Sequence, residues 1–355
     1  MQIGKYNSAF FKRFIKNKTA VLGLILIVCN MLLAIFAYII APDKSPNGNR
    51  IIPEIGSKQP GFTIEMLQIK KDNISTTPFL SLFFYGKPDD YQYIPINFYK
   101  IKGDSLVYNK YIDDGISETY TVAVSKQITK QTFYLGTDKF GRDILSRLII
   151  GTRISLGVGI IAVVISITIG ILLGAMAGYF KGWVDDVVMW FTNVIWSIPT
   201  LLLVFAITLV LGKGFWQVFI AVGLTMWVNV ARLVRGQVLG VRELDYIQAT
   251  RALGFSHSRI IIKHILPNIL GPVMVIAASN FASAIVIEAG LSFLGVGVQP
   301  PQPSWGLMIK ENYNFIITHN PMLALAPGIA IMQLVLAFNL LGNGLRDALN
   351  VRGKL

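Results

Sequence analysis

Six stretches of the chain are apolar for long enough to cross a bilayer, and most of what separates them is polar. A hydrocarbon core about 30 Å thick takes roughly 20 apolar residues in a helix rising about 1.5 Å per residue. The pattern predicts spans over 20–41, 154–178, 187–211, 215–231, 269–287 and 322–341. Asn193 and Pro199 interrupt the third, Pro327 lies in the sixth, and the fifth runs into Glu288. Both prolines are expected to kink their helices, a defect tolerated where neighbouring helices or water satisfy the freed carbonyls. Lys12, Arg13, Lys16 and Lys18 precede the first span, as in a signal peptide. A signal core is only about 7–15 residues long, so an uncleaved anchor is expected.

Composition sharpens this picture. Of 355 residues, 53% are hydrophobic and 14% charged, with a mean hydropathy of +0.57. An ordinary soluble domain carries about 25% charged residues. A soluble enzyme, a secreted disulfide scaffold and a disordered chain are thereby excluded. The single cysteine, Cys29, allows no internal disulfide and no Cys-x-x-Cys metal cluster. The net charge of +13 could suggest nucleic acid, but its placement says otherwise. With the N-terminus inside, the inner segments 1–19, 179–186, 232–268 and 342–355 hold 15 basic and 5 acidic residues. The outer loop 42–150 holds 14 basic and 12 acidic ones. Basic residues gather in cytoplasmic loops, so both termini are expected in the cytoplasm, and the charge needs no nucleic acid.

Two connecting segments carry organisation of their own. From 42 to about 131 the composition turns polar and rich in Tyr and Phe. The runs 93–99 and 105–111, flanking Ile101-Lys102-Gly103-Asp104, read as a β-hairpin in a small folded module. Asn73-Ile74-Ser75 matches a glycosylation sequon, a triplet frequent by chance. The inner loop 232–268 is basic and rich in helix formers. Ile247 and Arg251 share one helical face, as do Gln248 and Ala252, so a short helix is expected there. Gly254 ends it, Ser256 can N-cap a second helix, and the apolar stretch after it ends at Leu266-Pro267. Such a helix–turn–helix is a lever a soluble partner could grip. An amphipathic connector lying on lipid headgroups fits the same residues, and they leave the two readings open.

The 245–267 segment resembles the EAA loop of binding-protein-dependent ABC importer permeases: Glu-Ala-Ala, three residues, Gly, nine residues, Ile-x-Leu-Pro. Gln248-Ala249-Thr250, Gly254 and Leu266-Pro267 stand at that spacing; Gln248, Thr250 and His264 depart from its Glu, second Ala and Ile. Leu135-Gly136-Thr137-Asp138-Lys139-Phe140-Gly141-Arg142-Asp143-Ile144-Leu145-Ser146-Arg147, then Gly151-Thr152-Arg153-Ile154-Ser155-Leu156, is similar to the start of the second span in dipeptide/oligopeptide-type permeases. Glu288 to Gly295, Gln299-Pro300-Pro301 to Ser304-Trp305-Gly306, and Asn339 to Leu349 are similarly placed, with Asn343 where Asp is usual. Together they resemble the C-type subunit of such a permease pair, over residues 1–41 and about 133–355.

The resemblance implies an all-α polytopic membrane fold of six transmembrane helices in a bacterial cytoplasmic membrane. It covers 1–41 (cytoplasmic N-terminus and first helix) and 133–355 (the permease core, five helices and the coupling loop); the extracytoplasmic insert 42–132 between them, with β structure, is read from its own pattern and matches no part of the family. The implied partners are a second related permease, two cytoplasmic ABC ATPases and an extracytoplasmic peptide-binding protein, within the lipid bilayer. Gln248, Ala249, Thr250, Arg251, Gly254, Arg259, Leu266 and Pro267 are the expected ATPase-coupling residues. The cargo is peptide; nickel complexes, glutathione and antibacterial peptides also belong to the family's range. ATP is expected on partner subunits and no cofactor on this chain. A P-loop needs Gly-Lys followed by Ser or Thr, and the Gly-Lys pairs at Lys5, Lys87, Lys213 and Lys354 lack it.

Glu288 is an ionisable group at the end of a span, by default a functional candidate. Its blander role is an interfacial carboxyl hydrogen-bonded to turn residues such as Ser292. His257, His264 and His319 fall on opposite sides of the predicted topology, which rules out one shared metal site. An intramembrane protease would need paired aspartates, Ser/His or HExxH within the spans. A secondary transporter would show inverted repeats and buried coupling charges. Neither pattern is visible.

Overall fold

The apolar runs become helices, several of them longer than the membrane requires. The computed structural model describes residues 12–71, 78–102, 105–113, 115–123, 127–212, 214–317 and 320–349. The sequon at 73–75, the Gly103-Asp104 turn, His319 and the Lys5, Lys213 and Lys354 positions lie outside the described residues. In chain order come α1 (Lys18–Ile35), β1 (Phe62–Lys70), β2 (Tyr91–Lys102), β3 (Ser105–Asp113), β4 (Ile116–Ala123) and β5 (Gln127–Phe133). They are followed by α2 (Ile144–Phe180), α3 (Gly182–Trp196), α4 (Thr200–Leu211), α5 (Phe215–Arg242), α6 (Asp245–Ala252), α7 (His257–Leu294), α8 (Trp305–Asn312) and α9 (Met322–Leu349). Among the described residues α1, α2, α5, α7 and α9 are each long and apolar enough to cross a membrane, and α3 with α4 would make a sixth.

The third predicted span is not one kinked helix. α3 and α4 meet at 92° across Ser197–Pro199. Pro199 has no N–H to donate to Ile195, and its ring crowds that carbonyl, so the first helix closes before it. The last bonds of α3 run from Ser197 N–H to the Asn193 carbonyl and from Ile198 N–H to that of Ile195. By contrast, Pro327 lies inside a continuous α9.

Two compact units emerge. One draws on Ser155–Gln299, on Ile331 onward and on the chain up to Asn30; the other on Met31–Ile154 and Pro300–Ala330. In the first, α5 is the central element. Val218, Val222, Met226, Val230, Val234 and Val238 repeat every fourth residue along one buried face. Gly170, Gly174 and Gly178 of α2 repeat at the same interval and lie against it. A Cβ at Gly174 would stand 2.5 Å from the Ala231 carbonyl oxygen, and one at Gly178 2.8 Å from that of Arg235. Hydrogen in place of a side chain lets the backbones touch, the small-residue device of membrane helix pairs. The pairing of α1 with α9 uses the same device: Gly23 lies against Ala337 and Leu340, and Gly344 against Ala20.

The second unit holds the insert. The expected hairpin is present as β2 and β3, with Lys102 opposite Ser105, inside an antiparallel five-stranded sheet ordered β4-β3-β2-β1-β5. Ile64, Met66 and Phe133 pack with Ile52, Ile55 and Tyr111 on one face, while Leu67 joins Ile96, Leu106 and Tyr108 on the other. Alternation along β1 therefore fills two clusters. Beside the sheet lies a buried ionic network. Arg142 (4% exposed side chain) donates through Nε to Asp138 at 2.5 Å and through Nη2 to Glu311 at 2.8 Å, and Arg147 reaches Glu311 at 3.4 Å. Asp143 caps α2, accepting from the Ser146 N–H at 2.9 Å. Burial pushes its carboxyl above the ordinary value, although the Ser146 bonds pull the other way.

Candidate functional site

The segment 245–267 folds as a helix, a glycine turn and a second helix. α6 ends in a Schellman arrangement: Phe255 N–H donates to the Thr250 carbonyl at 3.1 Å and Gly254 N–H to that of Arg251 at 2.9 Å. That closure needs a left-handed residue at the turn, and Gly254 has φ +75°. Nothing lies within 4 Å of where its Cβ would be, so the glycine serves conformation and open space, not close packing. Ser256 occupies the N-cap of the next helix, but its side chain makes no capping bond.

The second helix is not short. It continues through Pro267 as α7, and a π turn over Ile261–Ile265 makes this possible. Leu266 N–H bonds to the Ile261 carbonyl, five residues back, immediately before the residue that has no N–H to give. The expected stop at Leu266-Pro267 is thus a local rewinding of the helix.

Burial divides the segment into two sides. Ile247, Ile260 and Ile265 are fully buried and join Tyr179 of α2, Val234 and Val238 of α5 and Val273 of α7 in one cluster. Thr250 lies beside them, its hydroxyl bonded to the Ile247 carbonyl at 2.7 Å. Gln248, Ala249, Leu253, Gly254 and Arg259 are exposed, and so is Pro267. The arginines stack on this chain's own rings, Arg251 over Tyr179 (4.9 Å) and Arg259 over Phe255 (4.3 Å). Tyr179 also shares a 2.9 Å hydrogen bond with His257 Nδ1. Lys181 pairs with Glu243 at 2.8 Å and holds that carboxyl below its ordinary value. The end of α2 thus anchors the segment, a role the sequence did not single out. Its only sequence signal was the Gly170, Gly174, Gly178 interval.

Glu288 stands about 30 Å further along α7, by the rise of 1.5 Å per residue. It is buried (1% exposed) and accepts the Ser292 hydroxyl at 2.6 Å, and Ser292 Oγ in turn accepts the Val298 N–H at 3.1 Å. The carboxylate thereby fixes the turn that closes α7. It is not near the 245–267 segment. Among the described residues no three His, Cys, Asp or Glu side chains group as a metal site.

Two cavities open along the same unit. One, of about 600 Å³, is lined by Trp196, Thr225, Asn229, Asn280, Ser283 and Asn339 among others. The second, of about 570 Å³, is lined by Met189, Asn193, Trp196, Arg232 and Arg235.

Comparison with known proteins places the chain. The model of the binding-protein-dependent transport system inner membrane component family matches residues 170–353, and the N-terminal transmembrane domain of oligopeptide transport permease C matches 6–55. Residues 56–169, with the sheet, fall outside both matches. The glutathione transport system permease protein GsiD of Pectobacterium atrosepticum is 42% identical over 221 residues, covering 62% of this chain and 73% of that protein. The dipeptide transport system permease protein DppC of Alkalihalophilus pseudofirmus is 42% identical over 221 residues, covering 62% and 72%. Among solved structures, the inward-facing MetNI methionine ABC transporter aligns at TM-score 0.48 and 18% identity, over 57% of this chain and 95% of that one. The chain therefore belongs to the family of binding-protein-dependent transport system inner membrane components, the permease subunits of ABC importers.

Proposed function

We propose that this permease carries peptides through the membrane with a second, related permease, and that 245–267 is its contact with the ATP-hydrolysing subunits. The observation that carries this reading is the two-sided segment itself. Its buried residues tie it to α2, α5 and α7, while Gln248, Ala249 and Leu253 are exposed around a left-handed Gly254. A connector merely resting on headgroups would need no such anchorage. Both termini and this segment face the cytoplasm, in keeping with the excess of basic residues around them. ATP binds to the partner ATPases, and this chain holds no cofactor. The permease core spans 133–355, and the insert 42–132 faces the extracytoplasmic binding protein that delivers cargo.

Peptides of two or more residues are the first reading of the cargo, supported by the dipeptide permease among the relatives; glutathione, itself a tripeptide, is the second. The test is uptake into liposomes holding the complete transporter, with labelled peptides of graded length and glutathione offered on the binding protein. ATP-dependent accumulation of a short peptide supports the reading. Retention of full uptake after Leu253→Asp and Gln248→Ala together would remove the coupling role.

A further inference from the structure

On α5, Thr225, Asn229 and Arg232 follow one another at helical spacing, four and then three residues apart. Thr225 and Asn229 line the larger cavity, Arg232 lines the other, and Trp196 borders both. The larger cavity has no charged lining residue; its polar groups are carboxamides and hydroxyls. Such groups offer donors and acceptors to a peptide's main chain without trapping it. The smaller cavity holds two cations, and they are treated differently. Arg235 is locked by Asp185 through two bonds of 2.5 and 2.6 Å. Arg232 forms no ion pair with any described carboxylate. Its Nη2 donates to the neutral Asn193 Oδ1 at 2.7 Å, its guanidinium lies 4.2 Å from the Trp196 ring centre, and its buried Nε has no acceptor.

Arg232 stands just past the predicted end of the span and lines an open cavity, so a cation there with no carboxylate partner has its charge available to a ligand. We propose that Arg232 receives the carboxylate of the cargo as it leaves the uncharged cavity. This rests on the peptide reading above and names the group that senses the cargo's acid end. The guanidinium fork suits a carboxylate, which accepts two parallel N–H bonds and outcompetes a neutral amide oxygen. Asn193 is then a placeholder, strong enough to aim the fork and weak enough to be displaced. Trp196, 63% exposed, supports the flat group from one side and keeps it at the junction of the cavities. A phospholipid headgroup offers a similar anion, and the test separates the two sources.

The complete transporter in liposomes is compared with Arg232→Gln, Arg232→Lys and Asn193→Asp. The probes are trialanine, its C-terminal amide and glutathione, each offered on the binding protein, in vesicles with and without phosphatidylglycerol. A lost charged hydrogen bond predicts about a tenfold or greater fall in trialanine and glutathione uptake for Arg232→Gln. Asn193→Asp should lose as much, because it supplies Arg232 with a competing carboxylate while keeping the cation. Arg232→Lys should recover part, the amide should be carried equally by all forms, and ATP hydrolysis should persist. Equal losses for amide and acid would overturn the proposal, as would a loss seen only with phosphatidylglycerol. If the unaltered complex imports neither trialanine nor glutathione, the peptide reading itself fails, and this site with it.

Discussion

Gly254 offers a substitution whose cost can be worked out before it is made. Its φ of +75° lies in the left-handed region, and no atom lies within 4 Å of the place a Cβ would take. An added Cβ therefore meets no clash within this chain, and for it the cost is that of the backbone alone. For alanine this is about 1–2 kcal/mol, enough to lower the population of the native turn roughly 5- to 30-fold. Valine adds its β-branch to that cost, whereas asparagine tolerates the region far better. The buried anchors Ile247 and Ile260 are untouched, so membrane insertion and helix packing should survive in every variant. ATP hydrolysis and peptide uptake, followed together in liposomes, should separate in Gly254→Val, with hydrolysis continuing while uptake falls. Gly254→Asn divides the causes. If turn geometry matters, asparagine is milder than alanine; if the open surface matters, asparagine is at least as damaging. Wild-type coupling in both valine and asparagine variants would refute the mechanical role of this segment.

Other expectations are simpler. Gly174→Leu should destabilise the α2–α5 pairing by about 1–3 kcal/mol or more, since even a Cβ would stand 2.5 Å from the Ala231 carbonyl oxygen; thermal unfolding in detergent measures it. Glu311→Gln leaves Arg142 and Arg147 without their shared buried carboxylate and should cost about 3–5 kcal/mol, whereas Glu54→Gln, at the more open Lys110 pair, should cost at most about 1 kcal/mol. The raised carboxyl of Asp143 binds its proton more tightly folded than unfolded, so its ionisation opposes folding. As pH rises from about 4 through the folded value, wild type should lose stability relative to Asp143→Asn; a difference moving the other way would contradict the burial argument.

Much of this was legible in the chain. Apolar length located every long helix, because a membrane helix must satisfy its own backbone bonds and cannot be short. The hairpin was legible from its flanking β-formers, but not the sheet around it: 56 residues lie between the nearest ends of β1 and β5, and pairing at that distance leaves no local pattern. The 92° turn at Pro199 went further than the kink expected of a proline, since the Ile195 carbonyl is taken by the Ile198 N–H in a tight closing turn that ends the helix. At the candidate site, Gly254 announced its turn, yet Tyr179 was invisible as its anchor because nothing in the sequence places it beside His257. Arg232 looked like one more basic residue of an inner loop. Only the contrast with Arg235, held square against Asp185, separates them.

The π turn before Pro267 has a geometric consequence. It fits one extra residue into a single coil, and an α-helix turns about 100° per residue. Removing one residue between Ile261 and Ile265 would let the coil tighten to an ordinary one and keep His257 and everything before it on nearly the same side of the α7 axis, whereas removing one from the regular coils between Pro272 and Ser283 would swing them by about 100°, leaving Glu288 where it is. The rod is 38 residues, about 57 Å, and the irregular coil is the one place along it that can gain or lose a residue without turning its exposed end. A single-residue deletion inside the π turn is thus absorbed, while the same deletion in the regular coils is a phase error: the permease would still fill its membrane helices, but would present the wrong side to whatever turns it.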